Sequence, residues 1–145
     1  LTLLGLGRLP FSRGSTDKPP SASSFAGNPV TSDAKRYRRM VDVLEARPDL
    51  IIGAPTLRWS GAALNAMVRA ARDDFPGAIK IPVLMLAAAC DEIVSTAATE
   101  ALGLRMRTGR HLVIPAARHE LFMENDAIRA QVFAAFDAFI TDQTT

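Results

Sequence analysis

IPVLMLAAACDEIVSTAATEALGLRMRTGRHLVIPAARHE (Ile81–Glu120) carries the alternation that decides the fold. Ile81–Ala88 is a short, continuous apolar run entered through Pro82, the pattern of a strand buried on both faces, as in a parallel sheet. Thr96–Leu104 reads as a helix, and Arg110–Ile114 as a second short strand. Beyond them, Asn125 or Glu124 caps a final helix that turns Ile128, Val132, Ala135, Phe136 and Phe139 inward. Strand, helix, strand, helix is the order of a parallel α/β sheet.

Upstream the period changes. TSDAKRYRRMVDVLEARPDL (Thr31–Leu50) offers Thr31 or Ser32 as N-cap, then Tyr37, Met40, Val41 and Leu44 at i, i+3, i+4, i+7. Pro48 closes this amphipathic helix. A second helix starts near Ser60, with Leu64, Met67, Val68 and Ala71 at the same spacing. The apolar linker IIGAPTLRW (Ile51–Trp59), holding the only Trp, joins the two. LTLLGLGRL (Leu1–Leu9) reads as a short helix, and SRGSTDKPPSASSFAGNP (Ser12–Pro29) as an extended loop. The resulting partition is 1–30 lead-in, 31–72 helical layer and 73–145 sheet-forming portion.

The chain has 145 residues, enough for one domain with a core, and an ordinary globular balance of 48% hydrophobic and 22% charged residues. No apolar stretch approaches the roughly 18–20 residues that span a bilayer. The N-terminus lacks both a basic leader and a cleavage site, so a cytoplasmic location is expected. It also lacks a Met and begins inside an apolar pattern, which suggests a segment of something longer. One cysteine, Cys90, excludes an internal disulfide and fits a reducing compartment. Residues 1–72 hold 11 Lys/Arg against 5 Asp/Glu, and 73–145 hold 6 against 10. With aromatics sparse and the arginines on polar helix faces, a solvated face and two structural layers account for this better than nucleic-acid binding.

In an open parallel sheet, chemistry collects beyond the carboxyl ends of the strands. Asp91 follows VLMLAAAC and His119 follows HLVIPAAR, 28 residues apart, the length of one right-handed crossover to a neighbouring strand. Both side chains can therefore reach one crevice. A neutral imidazole takes a proton from a hydroxyl near pH 7, and a carboxylate on its other nitrogen fixes the tautomer. Separately, Asp after a strand is most often a turn former and a lone loop His a surface residue. Their matched placement is what points to chemistry. Cys90 reads as buried filler, His111 as surface or packing, and Glu120 as a local loop residue. Two histidines and one cysteine, widely spaced, form no metal-ligand set, and no cofactor is indicated.

The words around these residues resemble a family. IPVLMLAAACDEIVSTAATEAL and HLVIPAARHELFMENDAIRAQVFAAFDAFI are similar to the C-terminal part of the lysophospholipase and monoacylglycerol-lipase-like serine hydrolases of the α/β-hydrolase fold. The strand–D–x–[IV]–V phrase matches the family's acidic triad segment at Asp91, and [AG]–x–H–E matches its histidine segment at His119. GAPTLRW with its following helix resembles the cap of the bacterial lysophospholipase branch. The likeness runs from about Asn28 to Ile140. It implies an α/β-hydrolase C-terminal portion: a helical cap, the last two parallel strands and their helices, with the sheet incomplete. It implies a carboxylic ester hydrolase acting on lysophospholipid or monoacylglycerol, a lipid-like substrate compatible with peripheral membrane contact. Under the cap, Leu57, Trp59, Leu64, Met67 and Phe75 become candidates for an acyl-chain wall.

Three departures stand out. Ala89 and Cys90 replace the family's frequent Gly and charged residue before the acid. Ala116 and Ala117 replace Gly before the His, which suits only a backbone without positive φ. Most consequentially, no serine here sits in G-x-S-x-G, the nucleophile elbow. The expectation is a Ser upstream of Leu1 and a chain inactive by itself. The rival readings are a truncated or degenerate non-catalytic fragment, and a relative with an Asp nucleophile. A sheet this short also leaves an unpaired edge, which predicts marginal stability or association.

Overall fold

The computed structural model describes residues 6–9 and 20–144. Much of the short helix and extended loop read at the N-terminus lies outside these residues. Within them, Leu6–Arg8 and Ala22–Gly27 are 3-10 turns, the second replacing the extended chain expected there. Its exit is fixed by Asn28, whose amide donates to Phe25 O at 2.6 Å while its carbonyl accepts from the Val30 and Thr31 amides.

Helix α1 spans Ala34–Ala46 and buries Tyr37 and Val41, four residues apart on one face. Its N-cap is Asp33, not Thr31 or Ser32. The Asp33 carboxylate accepts from the Arg36 amide at 2.9 Å, the usual way of satisfying an orphan donor in a first turn. Thr31 and Ser32 are engaged elsewhere, in contacts with the chain around residue 124. Helix α2, Leu57–Ala71, is capped by Thr56, so it starts three residues before Ser60 and includes Trp59, which the sequence reading assigned to the linker. Its apolar face exists as read but is uncovered among the described residues: Trp59, Leu64, Met67 and Val68 are all exposed. A single turn, α3 (Phe75–Ala78), leads to the sheet.

Strands β1 (Val83–Ala88) and β2 (Gly109–Ile114) pair in parallel, in register from Val83 opposite Gly109 to Ala88 opposite Ile114. Helix α4, Thr96–Arg105, makes the crossover between them, with Ser95 as its N-cap. It lies so close to β2 that a Cβ on Gly103 would stand 2.7 Å from His111 Cβ. That is the packing role of His111. Helix α5, Asp126–Thr144, is capped by Asn125, whose side chain accepts from the Ala127 and Ile128 amides.

The core gathers at the carboxyl end of the sheet, where Ala88, Ile114, Ala117, Ile128 and Val132 are buried together and Leu86 and Leu121 pack against them. Full burial of an Ile or Val side chain is worth about 1.5–3 kcal/mol, so this small cluster anchors both strand ends. Burial fades away from it. β1 is buried only at Ala87 and Ala88, not along its length, because β2 is the only strand paired with it among the described residues. Phe136, expected inside, is 52% exposed, since α5 runs on past the surface that its first two turns cover.

Candidate active site

Both strand ends turn the chain upward into one crevice. At the end of β1, the Ala89 amide donates to Ile114 O and the Cys90 amide to Ala117 O, so the two turns are tied to each other. Thr96 Oγ1 returns to Ala88 O at 2.6 Å and brings the start of α4 down onto the same strand end. Asp91 stands in the turn between. Cys90, read as buried filler, is exposed.

Asp91 and His119 meet there. His119 Nδ1 lies 2.9 Å from Asp91 Oδ2. The other oxygen, Oδ1, accepts from the Ile93 amide at 2.8 Å and the Val94 amide at 3.0 Å. The Asp91 side chain keeps 5% of its surface exposed and the imidazole 29%. Burial pulls the Asp91 carboxyl upward, but hydrogen bonds from the Val94 amide, His119 and the Ile93 amide outweigh it and hold the acid below its ordinary value. An ionised carboxylate on Nδ1 places the ring proton on that nitrogen and leaves the Nε2 lone pair free. Beside the pair is a cavity of about 140 Å³ lined by Leu86, Ala88, Val94, Thr99 and Leu121.

The turn before His119 needs the conformation that its sequence seemed to exclude. Ala116 has φ 58°, inside the left-handed region. An L-residue there costs about 1–2 kcal/mol, which explains why Gly would be the simpler choice. Glu120 does not touch the pair; its backbone amide donates to Val30 O at 2.8 Å. Glu124, read as a possible helix cap, is instead fully buried and accepts from Ser32 and from the Arg118 amide. No periodicity marks such a residue, and the sequence offered it only as a cap.

Of the acyl-wall candidates, Leu57, Trp59, Leu64, Met67 and Phe75 line neither this cavity nor a second one of about 440 Å³ between α1 and the Leu121–Met123 turn. Arg36, Arg39 and Arg129 rim that second cavity over Met40, Val43 and Phe122.

A carboxylate and an imidazole meeting beyond the adjacent carboxyl ends of two parallel strands fit the C-terminal part of an α/β-hydrolase. The family model Serine aminopeptidase, S33 (Hydrolase_4) matches residues 18–126, and the chain belongs to this α/β-hydrolase family. It is 31% identical over 117 residues to the probable lysophospholipase L2 of Haemophilus influenzae, covering 81% of this chain and 37% of that protein. To lysophospholipase L2 of Escherichia coli K12 it is 30% identical over 128 residues, covering 81% and 36% respectively. The chain thus spans little more than a third of these curated relatives. Among solved structures, a soluble variant of monoglyceride lipase from Saccharomyces cerevisiae, in complex with a substrate analog, superposes with a TM-score of 0.65 at 17% identity, over 89% of this chain and 43% of that one. This last likeness shows the fold.

Proposed function

We propose that these residues supply the acid and base members of a Ser-His-Asp triad in a carboxylic ester hydrolase acting on lysophospholipid or monoacylglycerol. In this reading His119 Nε2 takes the proton of a serine hydroxyl as the serine attacks the ester carbonyl, then returns it to the leaving alcohol. Water repeats the cycle on the acyl-enzyme. Asp91 holds the tautomer and stabilises the imidazolium. Residues 31–72 serve as the cap, 73–145 as the α/β portion, and 1–30 lead into them. The serine and the backbone donors for the oxyanion belong to the part of such a protein that these residues do not include. A lipid-like ester brings the active site to a membrane surface from outside; no described helix is long and apolar enough to cross one.

The observation that carries this reading is the 2.9 Å contact between His119 Nδ1 and Asp91 Oδ2, with the second carboxylate oxygen held by two amides. Asp91 is thereby aimed at the imidazole and not merely closing its own turn. The lysophospholipase names of the relatives support the substrate class.

The absence of G-x-S-x-G supports a second reading, a truncated or degenerate fragment without catalysis. One experiment separates the two. The coding sequence preceding Leu1 is read, and whatever in-frame protein it specifies is assayed on 1-acyl lysophosphatidylcholine and monooleoylglycerol beside the 145-residue chain. The hydrolase reading expects an in-frame G-x-S-x-G, turnover by the longer protein that His119→Ala abolishes, and none by this chain. A longer protein with no such motif, or turnover indifferent to His119, sinks it.

A further inference from the structure

Glu124 is a carboxylate with no exposed surface in a protein whose other acidic side chains mostly face solvent. Burying such a group is costly unless its oxygens are hydrogen-bonded. Here they are. The Ser32 amide lies 3.1 Å from each oxygen, the Ser32 hydroxyl also donates to Oε2, and the Arg118 amide donates to Oε1 at 2.8 Å. Ser32 precedes α1, and Arg118 immediately precedes His119. One side chain therefore joins the beginning of the helical layer to the loop that carries the imidazole.

Four further bonds run between the same two segments. Arg118 Nη1 donates to Asn28 O at 2.8 Å and Thr31 O at 3.3 Å. The Glu120 amide donates to Val30 O at 2.8 Å, and Thr31 Oγ1 to Met123 O at 2.7 Å. The residues on either side of His119 are thus both anchored to residues 28–32. Asp91 reaches the imidazole independently of these bonds, through the β1 turn. A long buried contact network of this kind removes backbone freedom at His119 before its ring orients, so the Asp91 bond has little left to order.

We infer that Glu124 is a positioning residue for His119: by accepting from Arg118 and Ser32 at once, it fixes the His119 loop against the residues leading into α1. This inference rests on the proposed function, because it assigns Glu124 a task in presenting a base. Glu124 does not contact the imidazole and takes no proton.

The chain holds two histidines, so imidazole ¹⁵N–¹H correlation spectra read His119 directly, with His111 as internal control. The unaltered chain should show His119 protonated on Nδ1 when neutral. Glu124→Ala removes both acceptors and should shift His119 toward the Nε2–H tautomer, with His111 unchanged. It should also speed exchange of the Arg118 amide by roughly ten- to a hundredfold, the usual effect of losing one buried partner. Glu124→Gln keeps an acceptor for Arg118 and an amide that can donate to the Ser32 hydroxyl, so it should restore most of the Nδ1–H population. If Glu124→Ala does not fold, the Arg118 and Ser32 amides of the unaltered chain decide: joint protection from exchange upholds the anchor, and free-loop rates overturn it. A folded Glu124→Ala chain with an undisturbed His119 tautomer also overturns it. The absence of an Nδ1–H tautomer in the unaltered chain would instead defeat the proposed function, whatever Glu124 does.

Discussion

Asp91 divides its carboxylate between two tasks: Oδ1 accepts the amides of Ile93 and Val94, and Oδ2 lies 2.9 Å from His119 Nδ1. The first task fixes the plane of the carboxylate, and the second uses the direction so fixed. An acid that merely closed a turn would point its second oxygen into solvent. Substituting Asn keeps the shape but can turn an NH₂ toward the ring and reverse the hydrogen bond. On the proposed function, Asp91→Asn in the longer protein should lower kcat by about 10³–10⁴-fold with KM little changed, the penalty for a wrong tautomer. Steady-state kinetics on a soluble ester checks this; a loss under tenfold would place the acid elsewhere.

The same bonds make stability depend on acid. In the folded chain the Asp91 carboxyl titrates below its ordinary value of 3.8. The stabilisation is therefore fully present above 3.8, and it is lost as pH falls through the lower, folded value. Asp33, held down mainly by the Arg36 amide, loses its contribution over the same acidic window. Acid unfolding followed by circular dichroism should show a shallower loss of stability below pH 3.8 for Asp91→Asn than for the unaltered chain. An identical slope would mean that Asp91 has no such linkage.

Ala116 sits at φ 58° in the turn before His119. Glycine relieves about 1–2 kcal/mol of left-handed strain but regains about 0.5–1 kcal/mol of unfolded-chain entropy. Ala116→Gly should stabilise by about 0.5–1 kcal/mol, read as a raised urea midpoint at constant m. Ala116→Val should do the reverse by at least as much, since β-branching suits that region worst.

Gly103 presents the opposite case. Alanine favours a helix over glycine by about 1 kcal/mol, yet a Cβ at 103 would meet His111 Cβ at 2.7 Å. That atom is rooted in β2 and cannot swing aside. Gly103→Ala should therefore destabilise by about 1–3 kcal/mol, the cost of overpacking. A thermal midpoint that rises would show that α4 can lift off the sheet cheaply.

The readable parts of this fold were those governed by period and by strand ends. The parallel pair, the crossover helix and the approach of Asp91 to His119 all follow from apolar runs bounded by turns, which is local information. What could not be read was decided by competition among polar groups. Thr31 and Ser32 are good N-caps by type, but they are drawn to Met123 and Glu124, and Asp33 caps in their place. Glu124 lies 92 residues from Ser32, and no spacing rule reaches that far. The exposure of Leu64, Met67 and Phe136 shows a different limit. An amphipathic pattern says which face is apolar, while the surface that covers it must come from elsewhere.

Among the described residues β1 pairs with β2 alone, and Leu86, Ala87 and Ala88 at its carboxyl end line the crevice that holds Asp91 and His119. A strand docking in parallel on the free edge of β1 would bring its own carboxyl end to the same rim of the sheet. On the proposed function, growth of the sheet and completion of the active-site rim would then be a single event.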